Sequence, residues 1–290
     1  MPELPEVENL RLSLLPALVG ARLNRLVVYH PDVLINPGEL DPVGHICLDI
    51  QRRGKYLRLC FDNDLVMEVH LRMTGHLLLR LDESILPPSY PHSEHIHVGY
   101  EWEKDGRAFL LLYQDTRRFG RIELISHTDL DARSTGSGNL GPEPFADECN
   151  ADYLCRRAVR HSRMPLKSFL LDQNVIAGLG NIYVDEILFA ARLNPLRPAA
   201  ELTVDEAERI VSHMRRILKL AIAAKGTTFR DYVDGHNLKG SFQEQLFVYG
   251  RGGEPCRICG TTLANARIGG RNTVYCPTCQ PGTGAVQESP

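Results

Sequence analysis

Four cysteines near the C-terminal end constrain the fold of this chain more than any other feature. They form two Cys-x2-Cys pairs, Cys256 with Cys259 and Cys276 with Cys279, separated by sixteen residues. This is the spacing of a four-thiolate zinc site, which is closed and therefore structural rather than catalytic. Two disulfides are the alternative, disfavoured because nothing in the sequence suggests secretion. We expect one structural Zn2+ in a module at residues 241–280 that is too small to fold without the metal.

The rest of the chain has the composition of an ordinary globular protein. Its 290 residues leave room for two further domains, and 43% are hydrophobic and 24% charged. Neither a transmembrane run nor a signal peptide is visible, so we expect a cytoplasmic location. The formal net charge is -3, but residues 1–150 carry 15 Lys and Arg against 23 Asp and Glu, whereas residues 151–283 carry 18 against 12. A basic second half indicates a local site for a polyanion.

The first half reads as a β-rich domain that follows one helix. A helix is predicted over residues 5–18 and ends at Gly20. Short β-branched or aromatic runs then recur between turn residues, at 23–29, 56–61, 65–71, 95–100, 109–113 and 121–125. Many short strands with polar turns are typical of a sandwich or a barrel. We place this domain at residues 1–135, a linker rich in Gly, Ser and Pro at 136–150, and a disordered tail at 281–290.

The second half is predicted to be a helical domain over residues 151–240. Thr203 is a suitable N-cap with Glu206 three residues later, and apolar residues keep helical spacing until Gly226. A bundle core explains that apolar stripe fully, so it carries no chemistry.

A tight turn at residues 177–181 separates two further predicted helices, and Asn181 is expected to cap the second. Exposed N–H groups at such a helix start suit a phosphate. A plain capped turn explains the same residues, and the Gly-x-Gly within it is a weak dinucleotide signal because no strand precedes it.

The N-terminus offers a nucleophile beside an acid. If Met1 is trimmed, which a small residue such as Pro2 permits, the chain begins with a secondary amine next to the carboxylate of Glu3. A free α-amino group has a pKa of roughly 7.7 to 8.0, so part of it is unprotonated at neutral pH. Such an amine can attack an aldehyde-level carbon and form an iminium, while the acid handles a proton. The alternative is ordinary helix-start chemistry, with Pro in the first turn and acids facing the helix dipole.

Several motifs lie in register along the chain: MPELPEVE at 1–8, QRRGKYL at 51–57, HLRMTG at 70–75, DTRRFG at 115–120, LGPEP at 140–144, LLDQNVIAGLGNIYVDE at 170–186 and VYGRGGEPCRICG at 248–260. Together they make the chain similar to the bacterial formamidopyrimidine-DNA glycosylases. The resemblance spans almost the whole chain. It implies an α+β multidomain fold with an N-terminal β-sandwich and flanking helices, a helical helix-two-turn-helix domain and a C-terminal four-cysteine zinc finger.

The resemblance implies roles for individual residues at the reaction centre. Pro2 would be the Schiff-base nucleophile that attacks C1′ of the damaged nucleotide, and Glu3 the acid that assists ring opening. Glu6 would support this end of the site. Lys55 would contact phosphate and donate a proton in β-elimination. Arg271, in the predicted zinc hairpin, would serve δ-elimination and phosphate binding.

The resemblance also implies two sets of DNA contacts. Those to the DNA backbone would be His95, Arg117, Arg163, Lys167 and Asn181. Those that fill the hole left by the extruded base would be Met73, Arg117 and Phe119. Extruding a nucleotide from a duplex costs a few kcal/mol, and apolar wedges repay part of that cost. The alternative for the second set is a core Met, a core Phe and a solvated Arg.

The predicted function is therefore a bifunctional DNA glycosylase and AP lyase that removes oxidised purines by β,δ-elimination. Its partner would be double-stranded DNA with an oxidised base or an abasic site, bound by a monomer in a salt-sensitive manner. Residues 227–243 resemble a mobile loop that folds over an extruded 8-oxoguanine, although a simple connector is the alternative. Three rival functions stay open: an oxidised-pyrimidine glycosylase of the endonuclease VIII type, a non-catalytic lesion-binding protein, and a terminal-proline enzyme acting on a small carbonyl compound.

Overall fold

The computed structural model describes residues 1–36, 38–133, 136–161, 163–227, 235–238 and 240–282. The α-helices in these ranges are α1 (Leu4–Leu18), α2 (His127–Ala132), α3 (Ala151–Val159), α4 (Leu166–Leu171), α5 (Asn181–Ala190) and α6 (Val204–Ala223). The strands are β1 (Arg22–Val28), β2 (Leu34–Ile35), β3 (Cys47–Arg53), β4 (Tyr56–Phe61), β5 (Leu65–His70), β6 (Gly75–Arg80), β7 (Ile96–Lys104), β8 (Arg107–Asp115), β9 (Arg121–Ser126), β10 (Ala264–Ile268) and β11 (Arg271–Tyr275). Within the described part of the chain, no helix combines the length and apolarity that crossing a bilayer requires.

The chain divides into two compact units, each built from two segments. Unit 1 comprises Met1–Asn139 and Ile222–Gln243, and unit 2 comprises Leu140–Ala221 and Glu244–Pro290. These limits differ from the predicted domains, because the stretch after α6 packs with the N-terminal segment. The tail predicted at 281–290 lies outside the described residues from position 283 onward.

Unit 1 is a β-sandwich with a helix against it. One sheet has the strand order β1-β7-β8-β6 and the other β2-β9-β5-β4-β3, with only the β2–β9 pair parallel among those described. Every second residue of β4 and β8 points into a shared core, and Leu110 and Leu112 of β8 are buried in a second cluster. Phe61 and Trp102 stack across that core with ring centroids 6.1 Å apart. Helix α1 adds apolar residues at helical spacing, and the sandwich predicted for this half is confirmed.

Unit 2 contains the long helix and a small hairpin. Helix α6 begins as predicted, because the Glu206 side chain accepts from the Thr203 N–H at 3.1 Å and the Glu206 N–H donates to the Thr203 hydroxyl at 3.3 Å. Strands β10 and β11 pair antiparallel and are joined by Gly269 and Gly270, whose φ values are +54° and +76°. A two-residue turn with both φ values positive matches the twist of a hairpin and favours glycine at both positions.

The helix after the tight turn differs from the prediction in how it begins. Gly180, with φ -139° and ψ -165°, is the N-cap of α5, and Asn181 is the first residue inside the helix. The prediction that Asn181 caps α5 is therefore wrong. Its amide is free for another role because glycine takes the extended N-cap conformation here without a side-chain hydrogen bond.

Candidate functional site

The start of α1 holds the predicted nucleophile and its neighbouring acids together. Pro2, Glu3 and Glu6 are all buried. Glu3 is the N-cap of α1, and its side chain accepts from the backbone N–H of Glu6. In return the Glu3 N–H donates to Glu6 Oε2 at 2.9 Å. This reciprocal capping box places a carboxylate beside Pro2, at the positive end of the helix dipole.

Glu6 also binds the segment that follows α6. Its Oε1 accepts from the Thr227 N–H at 2.8 Å and from the Thr227 hydroxyl at 3.0 Å. The preceding residue, Gly226, has φ +78°, and a Cβ at that position would lie 2.8 Å from Glu6 Oε1. Glycine is therefore required at this close approach. The two oxygens of Glu6 thus connect the N-terminal end with a residue 221 positions away.

Lys55 lies at the turn between β3 and β4, next to a buried histidine. The register pairs Tyr56 with His70, and their rings meet edge to face at 4.5 Å. Burial, together with the nearby charges of Arg72 and Lys55, lowers the pKa of His70 to about 3. The Arg72 N–H donates to His70 Nδ1 at 3.1 Å, so the neutral ring carries its proton on Nε2.

The predicted wedge residues lie on two adjacent turns. Met73 is on the turn between β5 and β6 and is 41% exposed, and Phe119 is on the turn between β8 and β9 and is 51% exposed. Arg117 is also exposed, with its guanidinium carbon 4.6 Å from the centre of the Phe119 ring. Large apolar side chains this exposed are not core residues. The core alternative raised from the sequence is therefore wrong for Met73 and Phe119.

The hairpin of unit 2 presents the predicted arginine. Arg271 is the first residue of β11, directly after the glycine turn, and is exposed. The side-chain amide of Asn181 donates to the Asn272 carbonyl at 3.0 Å, which fixes the start of α5 against β11. Arg163 is exposed in the turn after α3. Unit 2 thus carries two exposed predicted contacts, Arg163 and Arg271.

The four cysteines of the two Cys-x2-Cys pairs converge at the base of this hairpin. Their sulfur atoms all lie within 4.8 Å of one another, and the separations from Cys259 to Cys276 and to Cys279 are 3.5 Å. Cys256 and Cys279 are 4.0 Å apart. A tetrahedral zinc with Zn–S bonds of about 2.3 Å needs sulfurs about 3.8 Å apart, so the arrangement fits the metal.

The whole chain matches known proteins on both sequence and structure. Residues 1–122 match the model of the formamidopyrimidine-DNA glycosylase N-terminal domain, residues 140–233 the formamidopyrimidine-DNA glycosylase H2TH domain, and residues 253–282 the zinc finger found in FPG and IleRS. A formamidopyrimidine-DNA glycosylase of Heliobacterium modesticaldum is 43% identical over 286 residues, covering 97% of this chain and all of that protein. The chain belongs to the formamidopyrimidine-DNA glycosylase family.

Solved structures of this family agree with the fold. A Lactococcus lactis FPG mutant in complex with DNA containing Fapy-dG has a TM-score of 0.85 and 32% identity, covering 97% of this chain and 100% of that one. A MutM in complex with DNA containing carbocyclic 8-oxo-G has a TM-score of 0.84 at the same identity and coverage. The match to the formamidopyrimidine-DNA glycosylase fold confirms the predicted fold class, including the zinc-finger module.

One contact carried over from the family does not hold in this structure. Lys167 was predicted to bind the DNA backbone, but its side chain is fully buried and its ammonium lies 2.7 Å from Asp185 Oδ1. The same ammonium donates to the Asn272 carbonyl at 2.9 Å and to the Thr273 hydroxyl at 2.8 Å. Lys167 therefore does not present its charge to a phosphate. It supports strand β11, next to Arg271.

Among the buried ionisable groups that the sequence did not indicate are Asp185, His70 and Asp115. Asp185 pairs with Lys167, and its other oxygen accepts from the Val274 N–H at 3.2 Å. Burial raises the pKa of Asp185, and the Lys167 charge opposes that rise. His70 and Asp115 lie inside the motifs HLRMTG and DTRRFG. Only their place within motifs could have indicated them, because single polar residues in strands are usually solvated.

Proposed function

We propose that this chain removes oxidised purines, chiefly 8-oxoguanine and formamidopyrimidines, from duplex DNA and then cuts the strand as an AP lyase. Family membership over the full length supports this function, as do relatives solved with DNA containing Fapy-dG or 8-oxo-G. The observation that carries the proposal is the start of α1. There Pro2 and Glu3 are held side by side through the two-sided hydrogen bonding of Glu6.

The proposed reaction begins once Met1 has been removed. The Pro2 nitrogen attacks C1′ of the damaged nucleotide, the bond from C1′ to the base breaks, and the base leaves with a proton. Glu3 supplies the proton that opens the sugar ring and leaves an iminium between Pro2 and C1′. The capping box fixes the Glu3 side chain at the start of α1, directly after Pro2 in the chain, so that the acid and the nucleophile would act on the same sugar without a separate encounter.

Strand cleavage follows from the same iminium. Loss of a C2′ proton breaks the C3′–O bond and releases the 3′ phosphate, and loss of a C4′ proton then breaks the C5′–O bond and releases the 5′ phosphate. We assign Lys55 to proton donation and phosphate contact in the first elimination and Arg271 to phosphate binding in the second. Water finally hydrolyses the iminium and frees Pro2.

DNA binding is proposed to use exposed cations together with the wedge. Arg117, Arg163 and Arg271 are exposed, His95 is half-buried beside the wedge turns, and Asn181 is partly accessible. Met73 and Phe119 would replace the extruded nucleotide in the stack, while Arg117 faces the unpaired base. Lys167 is not included, since its ammonium is buried.

We further propose that Cys256, Cys259, Cys276 and Cys279 bind one structural Zn2+. Their sulfur geometry supports this, and so does the match to a zinc-finger family. The metal would hold the base of the β10–β11 hairpin and take no part in the chemistry. We place the protein, as a monomer, in the bacterial cytoplasm on the nucleoid, because its proposed substrate is chromosomal DNA and its relatives are bacterial.

Borohydride trapping tests the proposed function. Purified protein is incubated with a duplex carrying one 8-oxoguanine opposite cytosine, and mass spectrometry locates the reduced crosslink. We expect the adduct on Pro2, a weaker adduct for Pro2→Gly, which keeps an amine, and none for protein that retains Met1.

Two outcomes would contradict the proposal. A crosslink at another residue would remove Pro2 as the nucleophile. No adduct and no cleavage by zinc-loaded protein lacking Met1 would remove the substrate class, and the same assay on an oxidised-pyrimidine duplex would then separate a change of lesion from a protein that binds without cutting.

A further inference from the structure

Asp115 is a buried carboxylate at the end of β8, immediately before the turn that carries Arg117 and Phe119. It has no exposed surface. Its Oδ1 accepts from the Thr74 hydroxyl at 2.5 Å and from the Arg117 N–H at 3.1 Å. Its Oδ2 accepts from the Gly120 N–H at 2.8 Å and from the Tyr113 hydroxyl at 3.1 Å. Four donors on one carboxylate satisfy both of its oxygens.

Three of these donors come from the two turns of the wedge, and Tyr113 lies in strand β8. Thr74 directly follows Met73 on the β5–β6 turn, and Arg117 and Gly120 flank Phe119 on the β8–β9 turn. The Thr74 hydroxyl also accepts from the Arg117 N–H at 3.2 Å, so the turns are joined directly as well as through the carboxylate. The wedge side chains therefore lie on two turns that one hydrogen-bond network joins.

Close backbone packing reinforces this hydrogen-bond network. A Cβ at Gly75 would lie 2.9 Å from the Tyr113 hydroxyl and 2.6 Å from the Leu71 carbonyl. A Cβ at Gly120 would overlap the same hydroxyl and lie 3.1 Å from Asp115 Oδ2. Contacts this short exclude any side chain at either position. Glycine is therefore required for the same physical reason at the end of HLRMTG and at the end of DTRRFG. Both glycines let the two turns close around the Tyr113 and Asp115 side chains.

Each turn contains a residue in the left-handed region, next to its wedge side chain. Arg72, before Met73, has φ +53°, and Arg118, before Phe119, has φ +54°. Such a conformation is strained for a non-glycine residue, so the surrounding contacts must hold the turns in place. Burial acts to raise the pKa of Asp115, but the hydrogen bonds from Thr74, Gly120, Arg117 and Tyr113 outweigh it and lower that pKa. The group is a carboxylate, which is the form that accepts all four bonds.

We propose that Asp115, together with Thr74, is a positioning residue that fixes Met73, Arg117 and Phe119 as one preformed wedge for base extrusion. The inference rests on the proposed function, since it concerns how the same protein opens the duplex. Asp115 touches neither base nor sugar. It acts through the two turns, so that Met73 and Phe119 enter the stack as a unit instead of being ordered one by one on binding.

The test separates extrusion from chemistry. Single-turnover base release is measured on the duplex with 8-oxoguanine opposite cytosine, and AP lyase activity is measured on a single strand with a preformed abasic site, which needs no extrusion. Displacing positioned groups by about 1 Å costs on the order of 100-fold in rate. We expect Asp115→Asn to slow base release about 100-fold and Thr74→Val to slow it about 10-fold. The AP lyase activity of both variants should change less than about twofold. Thr74→Ser keeps the hydroxyl and should recover most of the base release.

A second measurement tests the claim of a single unit. Met73→Ala should slow base release strongly in the wild-type background and only weakly in Asp115→Asn, because the side chain is no longer held in place. Additive effects of the two substitutions would overturn the inference, as would equal losses of base release and lyase activity in Thr74→Val. If Asp115→Asn does not fold, base release by Thr74→Val and by Thr74→Ser, each compared with lyase activity, still tests the inference. A wild-type protein that neither releases base nor cuts would instead contradict the proposed function itself.

Discussion

Glu6 differs from Glu8, the other acid of α1, because the donors to its carboxylate among the described residues are backbone N–H groups and a hydroxyl. The Glu3 N–H binds one oxygen, and the Thr227 N–H and hydroxyl bind the other. Glu8, two residues further on, instead forms half-buried ion pairs with Arg11 and Arg52. One acid of α1 thus organises the proposed reaction centre while its neighbour forms ordinary ion pairs.

Replacing Glu6 by Gln is a small change in shape, but it should lower both the stability of the protein and the rate of trapping by Pro2. An amide has one acceptor atom, so its NH2 group would face a donor and leave that buried group unpaired. We expect the free energy of unfolding to fall by about 1 to 3 kcal/mol and trapping by Pro2 to slow strongly. Glu8→Gln is the matched control on the same helix: it weakens two half-buried ion pairs, so it should lose some stability but show normal trapping. Equal effects of the two variants in urea unfolding and borohydride trapping would contradict this assignment.

His70 predicts a pH dependence of stability at the residue scale. Its pKa is lowered to about 3 in the folded state by burial and by the charges of Arg72 and Lys55, whereas an unfolded histidine titrates near about 6.5. The unfolded chain therefore takes up the proton first, and the stabilisation present above pH 6.5 is lost as the pH falls toward 3. Between pH 7 and pH 4.5 this group alone should cost about 2 to 3 kcal/mol. Urea unfolding at pH 7 and pH 4.5 should show a smaller loss of stability for His70→Gln than for the wild-type protein. An equal loss in the two proteins would refute the lowered pKa of His70.

At the scale of elements, a buried ion pair fixes strand β11 of the β10–β11 hairpin. The Lys167 ammonium and the Asp185 carboxylate together bind the consecutive residues Asn272, Thr273 and Val274 of β11. The asparagine amide at the start of α5 adds a fourth hydrogen bond to the same strand. Arg271 therefore extends from a strand whose register is fixed over its next three residues.

Lys167→Met should loosen that strand. The substitution leaves Asp185 buried without its partner, which costs about 3 to 5 kcal/mol of stability. Adding Asp185→Leu should recover much of that stability, because an apolar pair replaces an ionic one. Hydrogen exchange of the β11 amides should stay faster in the double variant, since the bonds to Asn272 and Thr273 are still missing. Lys219→Met, at an exposed position on α6, is the control, and normal exchange in the double variant would contradict the role.

The sequence predicts elements well where local signals agree and side chains poorly where tertiary contacts decide. Strand β4 lies where its short run between turn residues placed it, and the capping box of α6 is as predicted. Strand β6 was not predicted, because Gly75-His76-Leu77-Leu78-Leu79-Arg80 reads as a glycine followed by a leucine run without alternation. The burial of Lys167 depends on Asp185 and β11, which are distant in sequence. No local pattern distinguishes such a lysine from an exposed one.

At the scale of the molecule, the two units differ in what stabilises them. Unit 1 has a large apolar core drawn from both sheets and α1. The hairpin of unit 2 rests on a small cluster in which two of the members, Cys256 and Cys276, are themselves proposed metal ligands. Loss of metal should therefore affect the hairpin and leave the sandwich folded.

Zinc removal tests that difference directly. After chelation, or in Cys256→Ser with Cys259→Ser, amides of Ala264–Ile268 and Arg271–Tyr275 should exchange freely, DNA affinity should fall, and amides of Leu65–His70 should stay protected. Cys60→Ser, in unit 1, removes a buried cysteine outside the cluster and should leave bound zinc and hairpin protection unchanged. Uniform loss of protection on chelation would show that the metal stabilises the whole chain, and unchanged DNA affinity would make the module a bystander.

The hydrogen bonds between Glu6 and Thr227 have a consequence for synthesis on the ribosome. Residues at the very start of the chain wait for a partner that is translated 221 positions later. Until then Glu6 lacks the two hydrogen bonds from Thr227, although its local bond with Glu3 can already form. A chain that ends before residue 227 would keep the capping box and lose these two bonds. The order of translation therefore makes the hydrogen bonding of Glu6 complete only late in synthesis.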